Sequence, residues 1–218
     1  MKKNIIITGG LGYIGTELCK IYSGYSWNDN ITVIDNRFIS ESVNQLRSWN
    51  INFIHGDILD KDLVKKIFKD ADIVHHLAGI TQVPRVKSES NSESDEKIKK
   101  VANEGTQNIL DNIKDNCKII MPSTHVVYEG IREVKNDILE DEPTSPVLSY
   151  AVSKDFNEKQ LKESGKNFVI LRLGSVYGYS KDTMRIDIMP NLFSKITSQN
   201  GVLKLFSGGK QIKSPSTH

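Results

Sequence analysis

Three isoleucines run straight into three glycines at three-residue intervals: Ile5-Ile6-Ile7-Thr8-Gly9-Gly10-Leu11-Gly12-Tyr13-Ile14-Gly15. A short apolar run ended by glycine and followed by helical periodicity reads as a buried strand, a tight turn and a helix N-terminus. Backbone N–H groups and the helix dipole at such a turn cradle a pyrophosphate. Gly9 takes the backbone angles of the turn, Gly12 lets the main chain approach the ligand, and Gly15 lets helix and strand pack closely. One glycine triplet is a weak signal, so the rest of the chain must agree with it.

Agreement begins at Ile31-Thr32-Val33-Ile34, a second short strand closed by Asp35. Asp35 follows Gly15 by twenty positions, close to the separation expected of a carboxylate that binds adenosine ribose hydroxyls. A carboxylate there repels a 2′-phosphate, so the spacing predicts NAD rather than NADP.

Between the two strands Ile14, Leu18, Ile21 and Tyr22 form a helical stripe ending near Gly24. Further along, the pattern predicts helices over 41–49 and 61–68, the latter capped by Asp60, and strands over 51–54 and 72–79. A long polar loop over 81–96 leads into a helix over 93–114, striped by Ile98, Val101, Gly105, Ile109, Leu110 and Ile113. A fifth strand over 117–121 ends in Pro122-Ser123-Thr124-His125, and a helix over 149–164 precedes a sixth strand over 168–173. Strands and helices in this rhythm predict an α/β fold with a parallel sheet and right-handed crossovers. Past Gly178 the pattern weakens to a helix over 186–196 and a strand over 202–206.

The neighbouring His75 and His76 invite a metal reading. Successive strand residues point to opposite faces, so packing or loop contacts fit them better, and no metal site is expected. Lys+Arg 29 against Asp+Glu 27 leaves +2, and no basic cluster is interleaved with aromatics. That balance argues against nucleic acid and anionic membranes as partners. No apolar run reaches membrane-spanning length. Cys19 and Cys117 are expected as reduced residues and are too few for structural zinc. With no signal peptide ahead of the first strand, a cytoplasmic protein is expected.

Tyr150 and Lys154 are four apart on the helix over 149–164 and so share one face. An ammonium beside a phenol favours the phenolate, lowering a pKa that starts near ~10. A tyrosine so tuned takes the proton of a substrate hydroxyl while hydride leaves the same carbon for nicotinamide. Thr124, at a strand end, adds a hydroxyl to orient that oxygen. Such Tyr/Lys pairs are common on helix surfaces by chance, and it is the glycine turn, Asp35 and Thr124 that give this one weight.

The ordered set of motifs resembles the extended short-chain dehydrogenase/reductases, the NAD-dependent epimerase/dehydratase family acting on nucleotide sugars. It runs from Thr8–Gly15 through Asp35, Gly56-Asp57-Ile58, His76-Leu77-Ala78 and Asn103-Glu104-Gly105-Thr106-Gln107-Asn108. It continues with Ser123-Thr124 leading to Val127-Tyr128, then Tyr150 to Lys154, and Arg172 to Gly178. The resemblance implies a Rossmann-type, doubly wound parallel sheet over 1–178 and the beginning of a small C-terminal substrate domain over 179–218. It implies that Gly9, Gly12, Tyr13, Ile14 and Gly15 hold the NAD pyrophosphate, with Asp35 and Asn36 at the adenosine ribose. Asp57 and Ile58 would lie along the adenine, and Leu77 and Ala78 along the cofactor's path. Tyr150 would be the acid/base, Lys154 would hold the nicotinamide ribose, and Thr124 takes the family's Ser/Thr position.

Dehydratases of this family carry Asp-Glu directly after the Thr, and decarboxylases a Glu two places after it. His125 and Val126 stand there instead. The carboxylate that drives loss of water or carbon dioxide is missing, which favours epimerisation or simple oxidoreduction, and the leading expectation is a nucleotide-sugar epimerase resembling UDP-glucose 4-epimerase. A reductase, dehydrogenase or dehydratase of the same family, and a catalytically silent NAD-binding fragment, are the alternatives. Ser175 replaces an Asn that often contacts the substrate diphosphate. The chain stops where the substrate domain would begin, so a fragment or a partner-completed half is expected. A homodimer through the helices over 93–114 and 149–164 is implied as well.

Overall fold

The computed structural model describes residues 2–25, 28–81, 91–133, 135–180 and 183–210. Six strands, β1 (Asn4–Thr8), β2 (Asn30–Asp35), β3 (Asn52–His55), β4 (Ile73–His76), β5 (Lys118–Thr124) and β6 (Asn167–Leu173), make one sheet in the order β3-β2-β1-β4-β5-β6. The pairs β1–β2, β2–β3, β1–β4 and β4–β5 are parallel. Helices α1 (Tyr13–Gly24), α2 (Ser40–Ser48), α3 (Lys61–Phe68), α4 (Ser92–Leu110) and α5 (Ser149–Glu163) alternate with the strands. This is the Rossmann-type fold expected. The strand order reverses between β1 and β4, and a reversal of this kind opens a crevice at the carboxyl ends of those strands.

Pleating explains why the strands read as unbroken apolar runs. Ile5 and Ile7 enter one core with Leu11, Cys19, Val33, Val43 and Leu46, while Ile6 enters another with Val64, Phe68, Val74, Ile109 and Ile119. With both sheet faces covered there, Ile5, Ile6 and Ile7 of β1 and Val33 and Ile34 of β2 all need apolar side chains. Asp60 caps α3 as predicted, its carboxylate accepting from Leu63 N at 3.0 Å.

Several expectations shift. In α1, Ile21 is exposed and Cys19 is buried, because the face that meets the sheet passes through Gly15 and Cys19, four residues apart. α4 starts at Ser92, capped by the Asn91 side chain, which accepts from Ser94 N at 2.8 Å. It stops at Leu110 rather than 114, because Asn112 N–H turns to the Ile109 carbonyl at 3.0 Å and tightens the last turn. β5 continues to Thr124. Most of the loop expected over 81–96 lies outside the described residues.

The chain divides into two compact units, Met1–Arg172 and Leu173–His218. In the second, Asn191 lies in α6 (Met189–Ser198), accepting from Gly178 N at 3.0 Å and donating to the Arg185 carbonyl at 2.8 Å. The strand expected over 202–206 does not form. Val202 is 83% exposed, and with nothing covering it the segment lacks the burial a strand requires.

Candidate active site

The loop after β1 meets the exit of β4 at the sheet's reversal point. Gly9 has φ +67°, and a methyl group there would stand 2.8 Å from Ala78 N. Gly9 N–H is held by the Ile34 carbonyl at 2.8 Å, so three strand ends converge on one residue. Leu77 and Ala78 are thereby brought against the glycine turn. Gly12 precedes α1, whose first turn of Tyr13, Ile14 and Gly15 has no side-chain cap and no acidic residue. The positive end of the dipole is left for an anion. Gly15 packs onto the loop, where a methyl would reach the Gly9 carbonyl at 2.5 Å.

Asp35, at the end of β2, is 5% exposed. Its carboxylate accepts from Leu11 N at 3.0 Å, Arg37 N at 3.0 Å, Arg37 Nε at 3.1 Å and Arg37 Nη2 at 3.1 Å. Four donors match the roughly four lone-pair sites of a carboxylate. Asp35 therefore braces the glycine loop and is fully occupied by Arg37. Beside it, Asn36 Nδ2 lies 3.4 Å from Asp57 Oδ2. Ile58 differs: its side chain is committed to the core against Gly105, and its carbonyl accepts from Asn108 at 3.0 Å.

Thr124 ends β5, 7% exposed, with Oγ1 accepting from Val126 N at 3.3 Å to start a 3-10 turn over His125–Tyr128. Tyr150 and Lys154 lie one turn apart at the start of α5. Lys154 Nζ donates to the Pro122 carbonyl at 2.8 Å, which ties the Tyr150–Lys154 face of α5 to the segment carrying Thr124. Pro122 is tolerated in β5 because it lies beyond the last pair with β4, His75 with Ile120. Burial pushes the Lys154 ammonium down to about 8, against an upward pull from Glu158. Among the described residues Pro122 takes one of its three hydrogens. An uncapped helix N-terminus and a buried ammonium with hydrogens to spare fit NAD.

Sequence reasoning missed two charged groups and the bonds that His76 makes. Arg37, two residues past Asp35, could have been noticed by its nearness. Glu158, one turn beyond Lys154, could have been found by i, i+4 spacing; it is 2% exposed and accepts from Ser123 Oγ at 2.6 Å. His76 is buried with Nδ1 3.0 Å from Thr8 Oγ1 and Nε2 3.0 Å from Thr106 Oγ1, and Thr8 Oγ1 accepts from Ala78 N at 3.0 Å. A neutral ring satisfies that chain when Thr8 donates to Nδ1 and Nε2–H donates to Thr106. Burial and the nearby Lys154 push its pKa down to about 3. His75 points the other way, 2.8 Å from the Tyr22 hydroxyl, so the two imidazoles serve opposite faces as the pleat predicts.

Residues 5–214 match the NAD dependent epimerase/dehydratase family. The chain belongs to that family, whose cofactor is NAD. It is 30% identical to UDP-N-acetyl-alpha-D-glucosaminuronate decarboxylase of Bacillus cytotoxicus over 98% of this chain and 67% of that protein. It is 30% identical to dTDP-D-glucose 4,6-dehydratase of Dictyostelium discoideum over 81% of this chain and 44% of that one. To UDP-glucose 4-epimerase 3 of Oryza sativa it is 29% identical over 78% of this chain and 48% of that one. It superposes on UDP-glucuronic acid 4-epimerase from Bacillus cereus, in complex with UDP-glucuronic acid and NAD, with TM-score 0.75 and 29% identity, covering 95% of this chain and 67% of that one. The chain thus spans about two-thirds of the first relative and under half of the next. None of the helices is long and apolar enough to cross a membrane among the described residues.

Proposed function

We propose that this chain carries the cofactor and acid/base half of a nucleotide-sugar epimerase of the UDP-hexose or UDP-hexuronate 4-epimerase type. The observation that carries the reading is the end of β5. Thr124 stands there as a hydroxyl donor, and His125 and Val126 fill the two positions where the family's dehydratases and decarboxylases carry carboxylates. Tyr150 takes the proton of the sugar hydroxyl and later returns it, Thr124 orients that oxygen, and Lys154 holds the ribose side of the cofactor while favouring the phenolate. The glycine turn and α1 hold the pyrophosphate, and Asp35 the adenosine ribose. Bound NAD supplies a hydride acceptor and donor for the carbon bearing that hydroxyl. Half-exposed Val152 and Phe156 on α5 support a homodimer through α4 and α5, which sedimentation reads directly.

The protein with NAD is incubated with UDP-, GDP- and dTDP-sugars and the products followed by NMR. Inversion at one sugar carbon is expected. No change in any sugar nucleotide while NAD stays bound overturns the reading, and net loss of water or carbon dioxide moves the protein to another branch of its family. Tyr150→Phe is expected to cut turnover by about 10²–10⁴-fold and leave the NAD Kd within about twofold. Isothermal titration checks the second half of that expectation.

A further inference from the structure

The deepest charged group in this part of the molecule is one the mechanism above does not use. Glu158 lies on α5 one turn beyond Lys154, on the same face, and its side chain is 2% exposed. Its carboxylate accepts from Ser123 Oγ at 2.6 Å, from Arg172 Nε at 3.0 Å and from Arg172 Nη2 at 2.6 Å. Lys162 approaches its outer edge at 3.7 Å. Arg172 comes from β6 and also reaches the Tyr128 hydroxyl and, at 3.0 Å, the Glu140 carbonyl.

Ser123 is the link. It sits between Pro122, whose carbonyl receives the Lys154 ammonium, and Thr124, whose hydroxyl is assigned to the chemistry proposed above. One carboxylate therefore grips the strand end that carries both the Lys154 acceptor and Thr124. Through Arg172 it also reaches the turn after Thr124 and the loop leading to Tyr150. A buried carboxylate with this many charged partners stays ionised. Desolvation pulls its pKa up, but Arg172 and Ser123 outweigh that and hold it below the usual range.

We propose that Glu158 is a positioning residue of the site, fixing the end of β5 through Ser123 and supplying a buried negative charge one helical turn from Lys154. Tyr150 shares the helix with Lys154 one turn away, and among the described residues His76 from β4 feels the Lys154 charge and stays neutral. Arg172 from β6 is spent on Glu158. Among the described residues, Glu158 is thus the group that pulls Lys154 towards its charged form. From α4, only neutral groups reach α5 by hydrogen bonds in this region: the Ala102 carbonyl takes Asn157 at 3.1 Å, and the Asn103 carbonyl and Gln107 side chain take Gln160 at 3.1 and 3.0 Å.

The inference rests on the assignment of Lys154 to the cofactor, and its test needs no sugar substrate. The NAD Kd is measured by titration calorimetry from pH 6 to 10 for the parent protein, Lys154→Met, Glu158→Gln and Ser123→Ala. The parent affinity should fall through an inflection near pH 8, which Lys154→Met abolishes. Glu158→Gln keeps the shape of the side chain and loses its charge, so the inflection should move down by about one pH unit. Ser123→Ala loosens the strand end and should leave the inflection in place. Should Glu158→Gln fail to fold with Arg172 left unpaired, the neutral pair Glu158→Gln/Arg172→Met carries the same expectation. An inflection that stays put in the charge variants overturns the proposal with Lys154's role intact. An inflection that survives Lys154→Met overturns both, and neither result depends on whether the protein epimerises a sugar.

Discussion

Asp35 illustrates how a side chain offered to a ligand can already be engaged within the fold. Its position at the end of β2 suits a ribose, yet every lone pair it owns is already engaged by Leu11 and Arg37. In the ribose role proposed for Asp35, the hydroxyls would displace the Arg37 guanidinium, which is about half exposed and so holds on weakly. Arg37→Met should bind NAD up to about fivefold more tightly, the size of one lost surface ion pair. Weaker binding in the same titration would mean that Arg37 reaches the cofactor itself. His76 is a second residue with a measurable signature. Its pKa of about 3 lies below the ordinary value of 6.5, so the unfolded chain binds a proton the folded one refuses. Stability is then fully present above about pH 6.5 and drains away on acidification towards pH 3, by about 2 kcal/mol at pH 5 from this group alone. Thermal unfolding from pH 7 to 4 should show the slope, and His76→Asn should flatten it.

Elements are held in place by contacts that sequence pattern does not encode. α5 carries Tyr150 in its first turn, yet no side chain of its own caps it. The cap comes from Glu129, whose Oε1 accepts from Val147 N at 2.8 Å and Leu148 N at 2.6 Å. Thr144 adds a bond to Asp155 at 2.6 Å, so the loop before α5 is pinned from both ends. From sequence this stretch reads only as acidic and proline-bearing, because its partners lie up to nineteen residues away. Glu129→Ala should cost about 1–2 kcal/mol in denaturant unfolding and slow turnover more than it weakens NAD binding. The strands tell the opposite story. Apolar runs closed by glycine or aspartate locate β1 and β2 well, since burial on both sheet faces selects apolar side chains there. Beyond β6 that constraint lapses, and a short apolar run at 202–206 carries too little burial to become a strand.

At the scale of the molecule, the glycine turn, Asp35, Leu77 and Ala78 were legible because each sits at a strand end whose periodicity is strong. The braces between them were not: Arg37 and Glu158 act through side-chain contacts that no motif marks, and the Thr8–His76–Thr106 chain joins three separate elements. Each sheet face also contains one buried thiol: Cys19 on the α1 side and Cys117 on the α4 side. Burial raises them to about 12 and about 11, so neither ionises at neutral pH while the fold is closed. The two layers of the protein therefore come with separate built-in clocks. Labelling by a thiol reagent, resolved by peptide mass, times the opening of each layer independently. NAD bound at the N-terminus of α1 should slow the Cys19 clock more than the Cys117 clock, and equal slowing would mean that the two layers open as one.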